Sequence, residues 1–167
     1  MRAGMTDDIL RHTPLDGVSD YTAALDTLCK LAHHNLYLFE KDFDGLGFNA
    51  EARYKSLRQF LLANPQNRLF VLAHEMQYLS TCCPRMLMLL SQFDDRMLIH
   101  QSAKHLLHIT APFCVADNKN YVRRFHFDDP RGILAVNDPE HARTLELQFM
   151  EMWANSHPAI STTILGL

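Results

Sequence analysis

The chain has 167 residues, a length that most simply folds as one domain with a sizeable core of its own. Its 47% hydrophobic content, 21% charged content and net charge of −3 describe an ordinary globular protein with no general pull toward nucleic acid or anionic membrane. Nucleic acid is therefore not expected as a partner, although the 16 Lys and Arg leave room for a local basic patch. No apolar run approaches the length of a membrane span. Four cysteines, two of them adjacent at Cys82 and Cys83 and none in a Cys-x-x-Cys spacing, read as reduced thiols of a cytoplasmic protein.

The opening M-R-A-G-M-T-D-D-I-L lacks the apolar core of a signal peptide. Residues 1–20 read as a flexible leader to a single domain over residues 21–167. Tyr21, Ala24, Leu25, Leu28 and Leu31 recur at helical spacing and predict a helix over 21–32. N-L-Y-L-F-E-K-D, residues 35–42, is apolar at both alternating sets and predicts a strand covered on both faces. After the loop D-G-L-G-F-N, Asn49 is the expected N-cap of a helix over 50–63, with Tyr54, Leu57, Phe60 and Leu61 on its apolar face. A-N-P-Q-N breaks that helix, and R-L-F-V-L-A-H follows as a near-continuous apolar strand. A loop or irregular helix leads to Pro84, which opens the helix P-R-M-L-M-L-L-S-Q-F. R-M-L-I-H-Q-S is the third strand, and alternating strands and helices indicate a layered α/β domain with a partly parallel sheet.

The rhythm changes after His108. A-P-F-C-V-A-D and Y-V-R-R-F-H-F, separated by N-K-N, predict two antiparallel strands joined by a tight turn. D-D-P-R-G is a second turn, and G-I-L-A-V-N-D a last strand over 132–138. Asp138 then caps a helix opened by Pro139, with Ala142, Leu145, Phe149, Met152 and Trp153 on its packing face. The expected architecture is α/β/α layers around a mixed central sheet.

This order of strand, acid, short turn, strand, turn, strand and aromatic-ended helix resembles the tail of a phospholipase D-like domain, over roughly residues 35–156. The resemblance implies a half-domain of that fold. The family's signature is a His, one residue, a Lys, four residues and an Asp, with a downstream Asn. Asp117 matches the Asp, whereas Thr110 stands at the His position and Pro112 at the Lys position. Asn137 is the candidate for the downstream Asn. The family's phosphodiester transfer runs through a phospho-histidine, which threonine cannot replace, and proline cannot hold phosphate charge. The resemblance thus implies a degenerate, non-catalytic module with a binding or regulatory role, for an anionic ligand or a protein partner. A complete site in this family faces two half-domains, so a homodimer with a shared cleft containing Asp117 from each copy is expected.

The candidate ligand-binding residues are Lys104, His108, Asp117, Arg123 and Arg124. On a strand Arg123 and Arg124 point to opposite faces, so one of them can meet a phosphate or carboxylate. Two alternatives stand beside this reading. One is a phosphodiesterase with a relocated histidine, His108, oriented by Asp117; the other is a purely structural or dimerisation domain. Ten histidines show no metal-ligand spacing, and neither a metal nor a cofactor is expected.

Overall fold

The computed structural model describes residues 9–160. In chain order the elements are strand β1 (Arg11–Leu15), helix α1 (Val18–Leu31), strand β2 (Asn35–Glu40), helix α2 (Glu51–Ala63) and strand β3 (Arg68–Ala73). Helices α3 (Gln77–Cys82) and α4 (Pro84–Gln92) lead to β4 (Met97–Gln101) and a 3-10 turn (Lys104–Leu106). Strands β5 (Phe113–Ala116), β6 (Asn120–His126) and β7 (Asp129–Val136), helix α5 (Pro139–Ala154) and β8 (His157–Ile160) complete the order.

The strands form one mixed sheet in the order β1-β7-β6-β5-β2-β3-β4-β8. Strand β2 runs parallel to β3, and β3 to β4, while every other neighbouring pair is antiparallel. Alternation along β2 explains the two layers. Leu36 and Leu38 face a core with Leu25 and Leu28 of α1 and Leu57 and Leu61 of α2. Tyr37 and Phe39 face the other core, where α5 contributes Ala142, Phe149 and Met152. Side chains this deeply buried each contribute about 1.5–3 kcal/mol of hydrophobic stabilisation, so the α/β/α arrangement follows from a strand that is apolar on both faces. The hairpin expected at Asp117 is present, with Asp117 and Asn118 both at positive φ (58° and 61°) and Lys119 N–H donating to Ala116 O at 3.3 Å. All four cysteines are free thiols, and only Cys82 is exposed.

Several boundaries differ from the sequence expectation. The segment expected to be a loose leader carries β1, paired with β7 from Arg11↔Val136 to Leu15↔Gly132, and α1 begins at Val18 rather than Tyr21; residues 1–8 lie outside the described residues. Strand β8 was not expected at all. Both are edge strands that contain a proline, Pro14 or Pro158, and a missing ladder donor is tolerated at an edge. The last long strand starts at Asp129, so D-D-P-R-G is mostly strand and the β6–β7 turn is confined to Phe127 and Asp128. Asn49 caps a different helix from the one expected. Its Oδ1 accepts Arg85 N–H of α4 at 3.1 Å and its backbone carbonyl accepts the Arg85 side chain at 2.7 Å. The loop before α2 thereby ties down the first turn of α4.

Candidate functional site

The parallel strands β2, β3 and β4 end at one edge of the sheet, and the antiparallel β5 lies beside β2. In open α/β sheets the crevice outside the carboxyl ends of the strands, where strand order reverses, is the usual ligand site. Here it is a cleft of about 300 Å³. Lys41 follows β2, His74 and Glu75 follow β3, Leu107 and Thr110 come from the segment entering β5, and His126, Phe127 and Asp128 come from the β6–β7 turn.

Beneath the cleft lies a buried ion pair. Glu40, the last residue of β2 and 1% exposed, accepts Arg124 Nη2 at 3.0 Å through Oε1 and the Tyr21 hydroxyl at 2.5 Å through Oε2. The Arg124 guanidinium also sits over the Tyr21 ring, 4.7 Å from its centroid, and donates from Nη1 to Phe127 O at 3.1 Å. Burial pushes the Glu40 carboxyl up to about 7, against the opposing pull of Arg124 and the Tyr21 hydrogen bond. The pair therefore fixes the Phe127 wall of the cleft from below.

His74 forms another wall and is buried. Its Nε2 lies 2.7 Å from Ile109 O and its Nδ1 2.5 Å from Ser102 Oγ. A carbonyl only accepts, so Nε2 carries a proton, and Nδ1 is bonded to the Ser102 hydroxyl. Both nitrogens are thus engaged, which leaves His74 no lone pair for nucleophilic attack in this arrangement.

A model of the family described as a domain of unknown function, DUF7931, matches residues 18–163. The chain belongs to that family. No curated protein matches it. Among solved structures, the archaeal chromatin protein TrmBL2, whose structure shows a novel mode of DNA binding, is similar with a TM-score of 0.68 at 10% identity. The match covers 95% of this chain and 58% of TrmBL2, so the chain spans little more than half of that relative. Nuc from Salmonella typhimurium, a phospholipase D family member, has a TM-score of 0.65 at 10% identity, with 92% of this chain and all of Nuc covered. NucT from Helicobacter pylori has a TM-score of 0.61 at 9% identity, covering 90% of this chain and all of NucT. The fold is therefore similar to that of the phospholipase D superfamily. The expectation that nucleic acid is not a partner is corrected by the first of these matches: a protein that carries this fold over part of its length binds DNA, and a net charge of −3 does not exclude a local contact surface.

The residues singled out in the sequence do not converge. Thr110 does line the cleft, at the position where the family resemblance places a histidine. Asp117 lies at the other end of β5, roughly 20 Å along an extended chain from Thr110. Its carboxylate accepts the backbone N–H groups of His33 at 2.8 Å, His34 at 2.8 Å and Asn35 at 3.1 Å. It ties the α1–β2 turn to the β5–β6 turn, so within one chain Asp117 serves the backbone at the end of β5 remote from the cleft. Arg124 is inside the protein, bound to Glu40, while Arg123 is exposed on the α5 face. Lys104 opens the exposed 3-10 turn after β4. His108 is exposed beside the cleft, with Nδ1 3.0 Å from His105 O, and its neighbour Leu107 supplies the lining. Asn137 sits at positive φ after β7, with its N–H donating to Asn120 Oδ1 at 2.9 Å, away from Thr110.

Sequence reasoning passed over Glu40, Tyr21, His74 and Ser102. The available signal was Glu40 itself, a carboxylate closing a strand that is otherwise apolar on both faces. Such a group requires a buried partner, and the two arginines of β6 were the candidates.

Proposed function

We propose that this chain is a non-catalytic module of the phospholipase D-like half-domain type that holds a phosphodiester-bearing ligand in the cleft at the carboxyl ends of β2, β3 and β4. The observation that carries this reading is Thr110: it lines the cleft at the position where the family resemblance places the nucleophilic histidine, and it offers there only a hydroxyl that is not nucleophilic at neutral pH. Lys41 and His126 offer donors to a phosphate, whereas Glu75 and Asp128 stand on the same rim. That mixture favours the single charge of a phosphodiester over the higher charge of a phosphomonoester. A nucleic-acid backbone is one source of this chemistry, and the likeness to DNA-binding TrmBL2 supports its inclusion. Four free thiols suit a reducing, cytoplasmic setting.

Equilibrium titration with a dinucleotide, single-stranded DNA and duplex DNA tests the reading and separates the sources. Saturable binding of at least one of them, weakened about tenfold by Lys41→Ala, is expected for loss of one charge-assisted contact. Binding indifferent to Lys41 removes the cleft from the account.

A further inference from the structure

A separate cluster lies on the α5 face of β1, β7 and β6, at the end of β6 away from the cleft. Asp138, the N-cap of α5, is 5% exposed and takes three side chains on its carboxylate. His12 Nε2 lies 2.8 Å from Oδ2, His141 Nδ1 lies 2.9 Å from both oxygens, and the Tyr121 hydroxyl donates to Oδ2 at 3.3 Å. An ionised carboxylate only accepts, so His12 carries its proton on Nε2 and His141 on Nδ1. His12 Nδ1 and His141 Nε2 are left facing outward, on side chains that are 43% and 64% exposed. The sheet register adds a third donor. His12 and Tyr121 both pair with Ala135, and the next row on the same face is Pro14, Ile133 and Arg123. Arg123 thus sits about 7 Å along β6 from Tyr121, exposed, with its guanidinium 5.8 Å from the Phe125 ring centroid.

From this arrangement we infer a second anion site: His12, His141 and Arg123 together bind the phosphate group of a phosphomonoester. Asp138 is the positioning residue. It holds both imidazoles in one tautomer, and Arg123 lies near enough to act electrostatically on His141 and Tyr121. A monoester presents three oxygens to three donors on different elements, which a diester does not. Asp138 holds the His141 imidazolium, and its pKa is raised by that carboxylate first and by Glu140 more weakly, against burial and Arg123. The titratable and charged groups around His141 are therefore Asp138 and Glu140 of α5, Tyr121 and Arg123 of β6 and His12 of β1. Protonation turns the free nitrogen from acceptor to donor, so affinity grows as pH falls. The inference does not depend on the cleft.

Sulfate is the primary probe, because it keeps two negative charges throughout the neutral range and any pH effect then belongs to the protein. The full chain is titrated with sulfate while the imidazole nitrogen resonances are followed by NMR, at pH 6 and pH 8. His12 and His141 are expected to shift saturably, with affinity about tenfold higher at the lower pH, and Arg123→Gln should weaken it about tenfold. Lys41→Ala, in the cleft, should leave it unchanged. A sugar phosphate should reproduce the effect, and a DNA strand without terminal phosphate should not. Resonances that do not move with sulfate, or an affinity untouched by Arg123→Gln, would overturn the site; stronger binding of the unphosphorylated DNA strand would overturn the monoester assignment.

Discussion

Glu40 and Arg124 meet at 3.0 Å beneath the cleft, both almost wholly out of water, and Arg124 spans from that carboxylate to the carbonyl of Phe127 in the cleft wall. Breaking such a pair strands the remaining charge. Arg124→Met is expected to destabilise the protein by about 3–5 kcal/mol at pH 8, whereas replacing both partners by Met should recover most of the loss. Urea denaturation of the two single variants and the double variant measures the coupling. Additive losses would show that the pair contributes nothing as a unit.

The same carboxyl gives a pH dependence of known sign. Its folded value of about 7 lies above its ordinary 4.5, so between those values the folded protein holds a proton that the unfolded chain has released. The stabilisation is fully present below about pH 4.5, falls as pH rises through 7, and is gone above; a shift of that size corresponds to about 3 kcal/mol. His141, also raised, acts in the same direction. Asp138 acts oppositely at the acid end: burial pushes it up, yet hydrogen bonds from His141 and His12 hold it at about 2, so its contribution fades as pH falls from 3.8 through that value. Unfolding free energies from pH 5 to pH 8 should fall for the wild type and vary less in Glu40→Gln. An identical slope in both proteins would remove Glu40 as the cause.

Asp117 is a structural acid. Asp117→Ala leaves the N–H groups of His33, His34 and Asn35 without their acceptor and is expected to cost about 2–4 kcal/mol. Phosphodiester affinity in the cleft should not change, because the residue lies at the other end of β5. A folded variant with weakened ligand binding would return Asp117 to the site.

Gly132 faces Arg124 across the β6–β7 pair, and a Cβ there would lie 2.0 Å from the backbone oxygen of Arg123. Neither strand can yield without losing ladder hydrogen bonds. Gly132→Ala should therefore lower stability by about 3 kcal/mol or more, read from the thermal midpoint. A wild-type midpoint would mean that the two strands separate more easily than their register implies.

The layered fold was legible because its evidence is local. Both faces of residues 35–40 are apolar, and Asp138 with Pro139 marks the start of α5 by its chemistry. The edge strands were not, since Pro14 and Pro158 carry the wrong signal for a strand, and only the neighbouring β7 or β4 makes them one. Asp117 stands between two strands, where an acid caps a turn, and its carboxylate takes three backbone N–H groups there. What sequence could not supply was direction: adjacent residues Arg123 and Arg124 separate to opposite faces, and which of them is buried depends on Glu40, 84 residues away. Asn49 shows the same limit, because its helix partner is Arg85 and not the helix that follows it.

The central claim is that the cleft binds a phosphodiester without cleaving it, and phosphorus NMR of a dinucleotide mixed with the full chain tests both halves in one tube. The account predicts a phosphodiester resonance that shifts saturably with protein, loses that shift with Lys41→Ala, and yields no phosphomonoester resonance on prolonged incubation, with His108→Ala indistinguishable from wild type. A phosphomonoester resonance that grows with time and disappears in His108→Ala would contradict it.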